Sequence, residues 1–311
     1  MIINKEKNFV SAVIYCYNCQ NSIENFLQKI NDSLSENFDR YEIVCVNDCS
    51  TDNTTEKINN FCENNKVKSL TIVNTSFFQG IENAMIAGQD IAIGDFVFEF
   101  DSTISDFDTS LIMDVYRKSL TGFDVVFAVP KKGTKGTSGL FYKLFNNYSN
   151  SEYRLKTVRF GVISRRGINR VKSMGVKTVY RKAVYASCGL PVCDVDYEPL
   201  KIDAHTDYQK ETKRDVGLNS LILFTDIGYK ISVMLTVLMS VVLLCAGIYT
   251  VAVFLSANPV AGWTTTMLVM SFGFFGLFII LAFVLKYLSV ILNLVFTHKQ
   301  YVIESIQKIT K

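Results

Sequence analysis

A formal net charge of only +3, with no basic run and no basic patch flanked by aromatics, excludes nucleic acid as a partner. A second CxxC is missing as well. Cys16 and Cys19 form one such pair, but at a strand end and the following turn rather than at the start of a helix, so no zinc site is expected. The eight cysteines are scattered, most of them in apolar runs where a buried thiol is at home, and they fit a reducing compartment. The opening stretch MIINKEKNFVSAVIYCYN lacks the long apolar core and small-residue cleavage site of a signal peptide. The polar part of the chain is therefore expected to stay inside the cell.

Charge is also missing from two long stretches near the other end. Residues 231–255 carry none, and about 25 such residues suffice to cross a hydrocarbon core of roughly 30 Å as a helix. Residues 264–285 are again uncharged, with Gly273 and Gly276 tolerable in a membrane helix. Lys230 precedes the first run, Lys286 follows the second, and the link SANPVAGW between them has no Lys or Arg. The positive-inside rule then predicts a two-helix transmembrane hairpin with Trp263 at the far interface and both chain ends in the cytoplasm. A transporter or channel is disfavoured, because these runs offer no ionisable residue to a polar solute. The tail 286–311 repeats Tyr287, Val290, Ile291, Leu294 and Val295 at helical spacing, which predicts an amphipathic helix.

The remainder alternates short apolar runs with amphipathic segments. FVSAVIYCY (9–17), YEIVCVND (41–48) and SLTIVN (69–74) read as strands; Ile23, Phe26, Leu27 and Ile30 mark one helix, Ile58 and Phe61 another behind STDNT. The order βαβαβ predicts an α/β domain with a mainly parallel sheet and helices on both faces. Ligands of such sheets bind at the carboxyl ends of the strands, where Asn18, Asp48 and Asp101 stand. Each could equally be a helix cap; their joint placement favours one crevice.

These residues also resemble a known family. SAVIYCYN is similar to the motif SVVIPxYN, YEIVCVNDCSTDNT to YEIIxVDDGSTDGT, and IGDFVFEFDSTISD to GDxVIxMDADLQD. Further on, TGFDVVFAVPKK, SGLFYKLFNNYS, VRFGVISRRGIN and KETKRDVGLNSLILFTDIGYKIS each resemble a later segment in the same order, and QYVIE resembles the family's last helix. The chain resembles glycosyltransferase family 2 of the GT-A fold, in the polyprenyl-phosphate group with the bactoprenol glucosyltransferases and dolichol-phosphate mannose synthase.

The resemblance implies a GT-A nucleotide-sugar-binding domain over 1–200, a juxtamembrane segment over 201–230, the hairpin over 231–285 and the C-terminal helix over 286–311. It implies an inverting hexosyltransferase in the cytoplasmic membrane, multi-pass, moving a sugar from a UDP- or GDP-linked donor to polyprenyl phosphate for cell-envelope polysaccharide. Tyr17, Asn18 and Asp48 would line the nucleotide, and Asp101 the diphosphate with a Mg or Mn ion that Thr103 helps to hold. Lys213 and Arg159 would meet the acceptor phosphate. Lys131, Lys132 and Lys135 could touch diphosphate or headgroups, or form an ordinary solvated turn.

Departures from the pattern fall on the same residues. DSTIS leaves Asp101 as one carboxylate with Thr103 and Ser105, which would hold the ion weakly. The family's base position holds Arg159 or Lys156, leaving Asp106, Glu99 or Glu152 as stand-ins and Asp106 and Arg159 as the catalytic candidates. Tyr15, Cys19, Gln20, Asn47 and Cys49 replace further motif residues. An acceptor phosphate is already anionic and needs little deprotonation. Two readings follow, an active transferase or a catalytically impaired homologue serving as a binding partner in the same pathway. Homo-oligomer formation stays open, the spacing of Gly273 and Gly276 not being GxxxG.

Overall fold

The computed structural model describes residues 5–65, 67–131, 153–174, 180–200 and 301–310, with isolated positions at 146 and between 234 and 291. β1 (Val10–Cys16) and β2 (Tyr41–Asn47) are buried along their whole length, which is why they read as continuous apolar runs rather than alternating ones. Successive side chains point to opposite faces of the sheet. Ala12, Ile14, Ile43 and Cys45 pack with Phe26 and Leu27 of α1 (Ile23–Asn37) and with Ile58 and Phe61 of α2 (Thr54–Asn64). Val13, Val44 and Val46 face the other layer, against Ala84 and Met85 of α3 (Ile81–Ile91). That contact is close: a Cβ added to Gly88 would stand 2.4 Å from Val13 Cγ1 and 2.7 Å from Val46 Cγ2, so only glycine lets α3 settle there.

β3 (Ser69–Thr75) and β4 (Phe96–Phe100) complete the parallel centre. α4 (Ser110–Ser119) and β5 (Val125–Pro130) follow, then β6 (Phe160–Ser164), α5 (Arg165–Ser173), α6 (Arg181–Ser187), β7 (Val192–Tyr197) and β8 (Ile303–Thr310). The sheet runs β7-β5-β6-β4-β1-β2-β3-β8, parallel from β4 through β3, with β6 antiparallel to both β4 and β5. After β1 the chain builds outward through β2 and β3, then returns to pair β4 with the other edge of β1. The reversal opens a crevice at the carboxyl ends of β1 and β4, the place where such sheets take ligands.

Two expectations for the C-terminal part need correction. Among the described residues no helix is long and apolar enough to cross a membrane, and this overturns the multi-pass placement with both ends in the cytoplasm. An uncharged run reports the transfer free energy of its side chains, not the continuous backbone-satisfied helix that crossing requires. Most of 231–255 and 264–285, all of 201–230 and nearly all of the SGLFYKLFNNYS stretch lie outside the described residues.

The second correction concerns 286–311, read as a helix to its end: Ile303–Thr310 is instead a strand, antiparallel to β3, with Leu70 opposite Ile309 and Ile72 opposite Gln307. β3 would otherwise present a row of unpaired backbone groups, and β8 supplies their partners. Gln79 fastens its start, donating to the Val302 carbonyl at 2.6 Å and accepting from the Val302 amide at 2.8 Å.

Candidate functional site

The turn after β1 carries Tyr17 and Asn18. Asn18 has φ +47°, a left-handed conformation that asparagine tolerates, and its side-chain oxygen accepts from the Thr51 amide at 2.8 Å. The Tyr17 ring packs against Phe78 with centroids 4.7 Å apart, and Phe77 and Phe78 remain exposed.

Asp48, at the end of β2, is placed differently from Tyr17 and Asn18. It exposes no surface. Oδ1 accepts from Thr75 Oγ1 at 3.1 Å and the Gln79 amide at 2.8 Å; Oδ2 accepts from the Tyr15 hydroxyl at 3.0 Å and the Gly80 amide at 2.9 Å. Burial, with Asp48 alongside, pushes the Tyr15 hydroxyl far above its ordinary value, so it stays protonated and donates. Asp48 thereby ties β1, β2 and the loop leading into α3 into the floor of the crevice. The neighbouring Asn47 donates to Asn74 at 2.9 Å and to Thr55 at 3.0 Å, joining β2 to β3 and α2.

At the end of β4, Asp101 meets two residues that the sequence reading passed over. Arg181 Nη2 donates to Asp101 Oδ1 at 2.7 Å, and the Lys182 ammonium donates to Oδ2. Arg181 opens α6 and is 1% exposed in its side chain; Nε holds Glu82 of α3 at 3.0 Å, and Nη1 stands 3.1 Å from Glu99 of β4 in charge contact without hydrogen-bond geometry. Lys182 also donates to the Val158 carbonyl at 3.1 Å. Burial pushes the Asp101 carboxyl up, but Lys182 and Arg181 together outweigh it and hold the group below the usual carboxylate range. Glu99 goes the other way: burial raises it against the pull of Arg181, and the Tyr185 hydroxyl donates to it at 2.9 Å.

The register Phe100↔Phe160 carries Arg159 to the same end of the sheet as Asp101. Asp106 and Arg159, the two catalytic candidates, are brought together as a pair: Arg159 Nε donates to Asp106 Oδ2 at 3.0 Å, and the Tyr197 hydroxyl to Oδ1 at 2.9 Å. The guanidinium stays half exposed while Asp106 is buried. Lys156 pairs with Asp194 at 2.7 Å, and the exposed Lys131 stands 3.4 Å from Glu198. Lys213, Lys132, Lys135 and Glu152 lie outside the described residues.

The donor set does not fit a divalent ion. Thr103 turns its hydroxyl to Ser22, 2.6 Å away at the start of α1. Both oxygens of Asp101 are occupied by cations, and among the described residues no group of three His, Cys, Asp or Glu side chains could hold a metal. A divalent ion within about 4 Å of the Lys182 ammonium would meet a repulsion on the order of 8 kcal/mol at an effective dielectric near 20.

The only signal for Arg181 and Lys182 is two adjacent cations heading the otherwise apolar stretch AVYASCGL, where burial would demand carboxylate partners. Nothing local names those partners.

The fold has known counterparts. Among solved structures, a mannosyltransferase of Pyrobaculum calidifontis, determined with GDP-Man and Mn²⁺, superposes with a TM-score of 0.52 at 16% identity, covering 70% of this chain and 63% of that one. The likeness is one of fold, a GT-A-like α/β architecture with a mostly parallel mixed sheet.

An uncharacterized glycosyltransferase of Synechocystis sp. is 29% identical over 187 residues, 58% of either chain. A prophage bactoprenol glucosyl transferase homolog of Escherichia coli is 28% identical over 198 residues, 60% of this chain and 62% of the relative. The match thus spans about three-fifths of the length of these curated relatives. The profile described as Glycosyl transferase family 2 covers residues 11–167, half of the chain and all of the strand ends from β1 to β6. The chain belongs to glycosyl transferase family 2.

Proposed function

We propose that this protein transfers a hexosyl group from a nucleotide sugar to a polyprenyl phosphate. The observation that carries the reading is the gathering of Tyr17, Asn18, Asp101 and Arg159 at the carboxyl ends of β1 and β4, the crevice that the reversal of strand order opens. Family membership and the bactoprenol glucosyl transferases among the relatives support the lipid phosphate as acceptor.

The nucleotide lies over the β1 turn, its base against Tyr17 and Phe78, and the diphosphate extends toward the end of β4. An acceptor phosphate oxygen attacks the anomeric carbon from the face opposite the leaving group. The new C–O bond forms as the bond to the diphosphate breaks, and the electron pair leaves with the nucleoside diphosphate, inverting the centre. The attacking oxygen is already anionic, so Asp106 need not serve as a base; its pairing with Arg159 fixes the guanidinium at the rim.

A second reading has its own observation. Asp101 and Asp48 are both saturated by protein partners, which suits a homologue that binds nucleotide without transferring sugar.

Titration of the purified full chain with UDP, GDP and UDP-glucose, followed by transfer of labelled sugar to polyprenyl phosphate, separates the two. Nucleotide binding with lipid-linked product supports the transferase, binding without product supports the second reading, and no binding to any nucleotide sinks both.

A further inference from the structure

Arg181 and Lys182 place two fixed positive charges under the strand end where a nucleotide diphosphate would lie, on the one carboxylate a metal would need there. They are an expensive way to fill space. Burying an ammonium and a guanidinium costs desolvation that apolar side chains would avoid, and here three carboxylates, Glu82, Glu99 and Asp101, are recruited to hold them.

We propose that these side chains are the resident cations of the donor site: Lys182 binds the nucleotide diphosphate directly, and no divalent metal is required. The proposal rests on the reading of the chain as a nucleotide-sugar transferase.

The geometry assigns each residue a part. Lys182 has three N–H donors, of which Asp101 and the Val158 carbonyl take two, leaving one for a phosphate oxygen. Asp101 aims the ammonium rather than a metal. Arg181 is pinned from α3 by Glu82 and from β4 by Glu99 and Asp101, so it fixes Asp101 without reaching the ligand and is a positioning residue. Arg159 lies at the same end of the sheet across the β4–β6 register, and its half-exposed guanidinium is held on Asp106. Charge-assisted N–H donors on phosphate oxygens supply what a metal otherwise would, neutralising charge as the diphosphate leaves.

The test is calorimetric titration of UDP and GDP into the full chain, in EDTA and in Mn²⁺, for the wild type, Lys182→Met and Lys182→Arg, with thermal melts of each. The expected result is an affinity equal within about twofold in the two buffers, lowered about tenfold or more by Lys182→Met and largely restored by Lys182→Arg. Affinity that rises about tenfold with Mn²⁺ overturns the proposal and leaves the nucleotide-binding reading standing. Metal-independent binding that Lys182→Met does not change overturns the assignment of Lys182. If Lys182→Met fails to fold, the wild-type comparison of EDTA with Mn²⁺ still decides. No binding in either buffer overturns both the proposal and the reading beneath it.

Discussion

Replacing Arg181 by methionine removes the guanidinium while keeping most of its volume. Glu82, Glu99 and Asp101 are then left around a site with Lys182 as the remaining cation. Breaking a buried pair from one side costs about 3–5 kcal/mol, because the partner charge stays buried and unmatched. For a folded unit of roughly 200 residues, where 1 kcal/mol moves the melting temperature by about 2–4 °C, Arg181→Met should melt about 6–20 °C lower at pH 7.5.

The pH dependence carries the sharper test. In the wild type the Asp101 carboxyl is held below its ordinary value, so its contribution is present above the unfolded value and lost as pH falls through the folded one. In the variant Asp101 keeps Lys182, but Glu99 loses the guanidinium that opposes its burial, so its folded value, already raised, rises further above the unfolded one. The contribution of Glu99 to the variant is then full below its unfolded value and lost as pH rises through the raised folded one. The gap between the two proteins must therefore narrow from pH 7.5 to pH 5 in melts followed by circular dichroism. A drop under about 3 °C, or a gap of the same size at both pH values, would refute the buried cluster.

Three further outcomes follow from the packing. Gly88→Ala gains up to about 1 kcal/mol in an exposed helix, but the contacts with Val13 and Val46 reverse the sign here, and urea denaturation should show a loss of about 1–3 kcal/mol. Asp48→Ala strands the Tyr15 hydroxyl and the Gln79 and Gly80 amides, costing about 4 kcal/mol by the same measurement; a loss below about 1 kcal/mol would mean that Asp48 is not the floor of the crevice. Gln79→Ala removes both bonds to Val302, and amide exchange at the start of β8 should quicken about tenfold while the centre of β1 is unchanged.

What the sequence made legible was set by how local the signal is. The runs over 9–17, 41–48 and 69–74 became β1, β2 and β3 within a residue or two, because strands buried on both faces need continuous apolar residues and little else. Asn18 and Asp101 could be placed just past the ends of β1 and β4 because a strand end is a local position. The insertion of β6 between β4 and β5 has no such mark, since FGVIS reads alike in either direction. Ile303–Thr310 was misread because apolar helical spacing earlier in the tail was extended through it, whereas its fate depends on the free edge of β3 more than 200 residues earlier in the chain. The partners of Arg181 stand at 82, 99 and 101, and no pattern within a window of the sequence connects them.

That non-local cluster also decides how stability and function divide. Arg181 joins α6 to α3 and β4, so its loss should lower the melting temperature and, by releasing Asp101, disturb the donor site as well. Lys182 contributes one bond to Asp101 and one to the Val158 carbonyl, and without it Asp101 still has Arg181. A variant at Lys182 should therefore lose nucleotide affinity with a much smaller change in melting temperature than one at Arg181. If the two substitutions instead shift both quantities in the same proportion, the cluster is a structural rivet and the cation at the strand end has no part in binding. A clean split between them places the phosphate on Lys182.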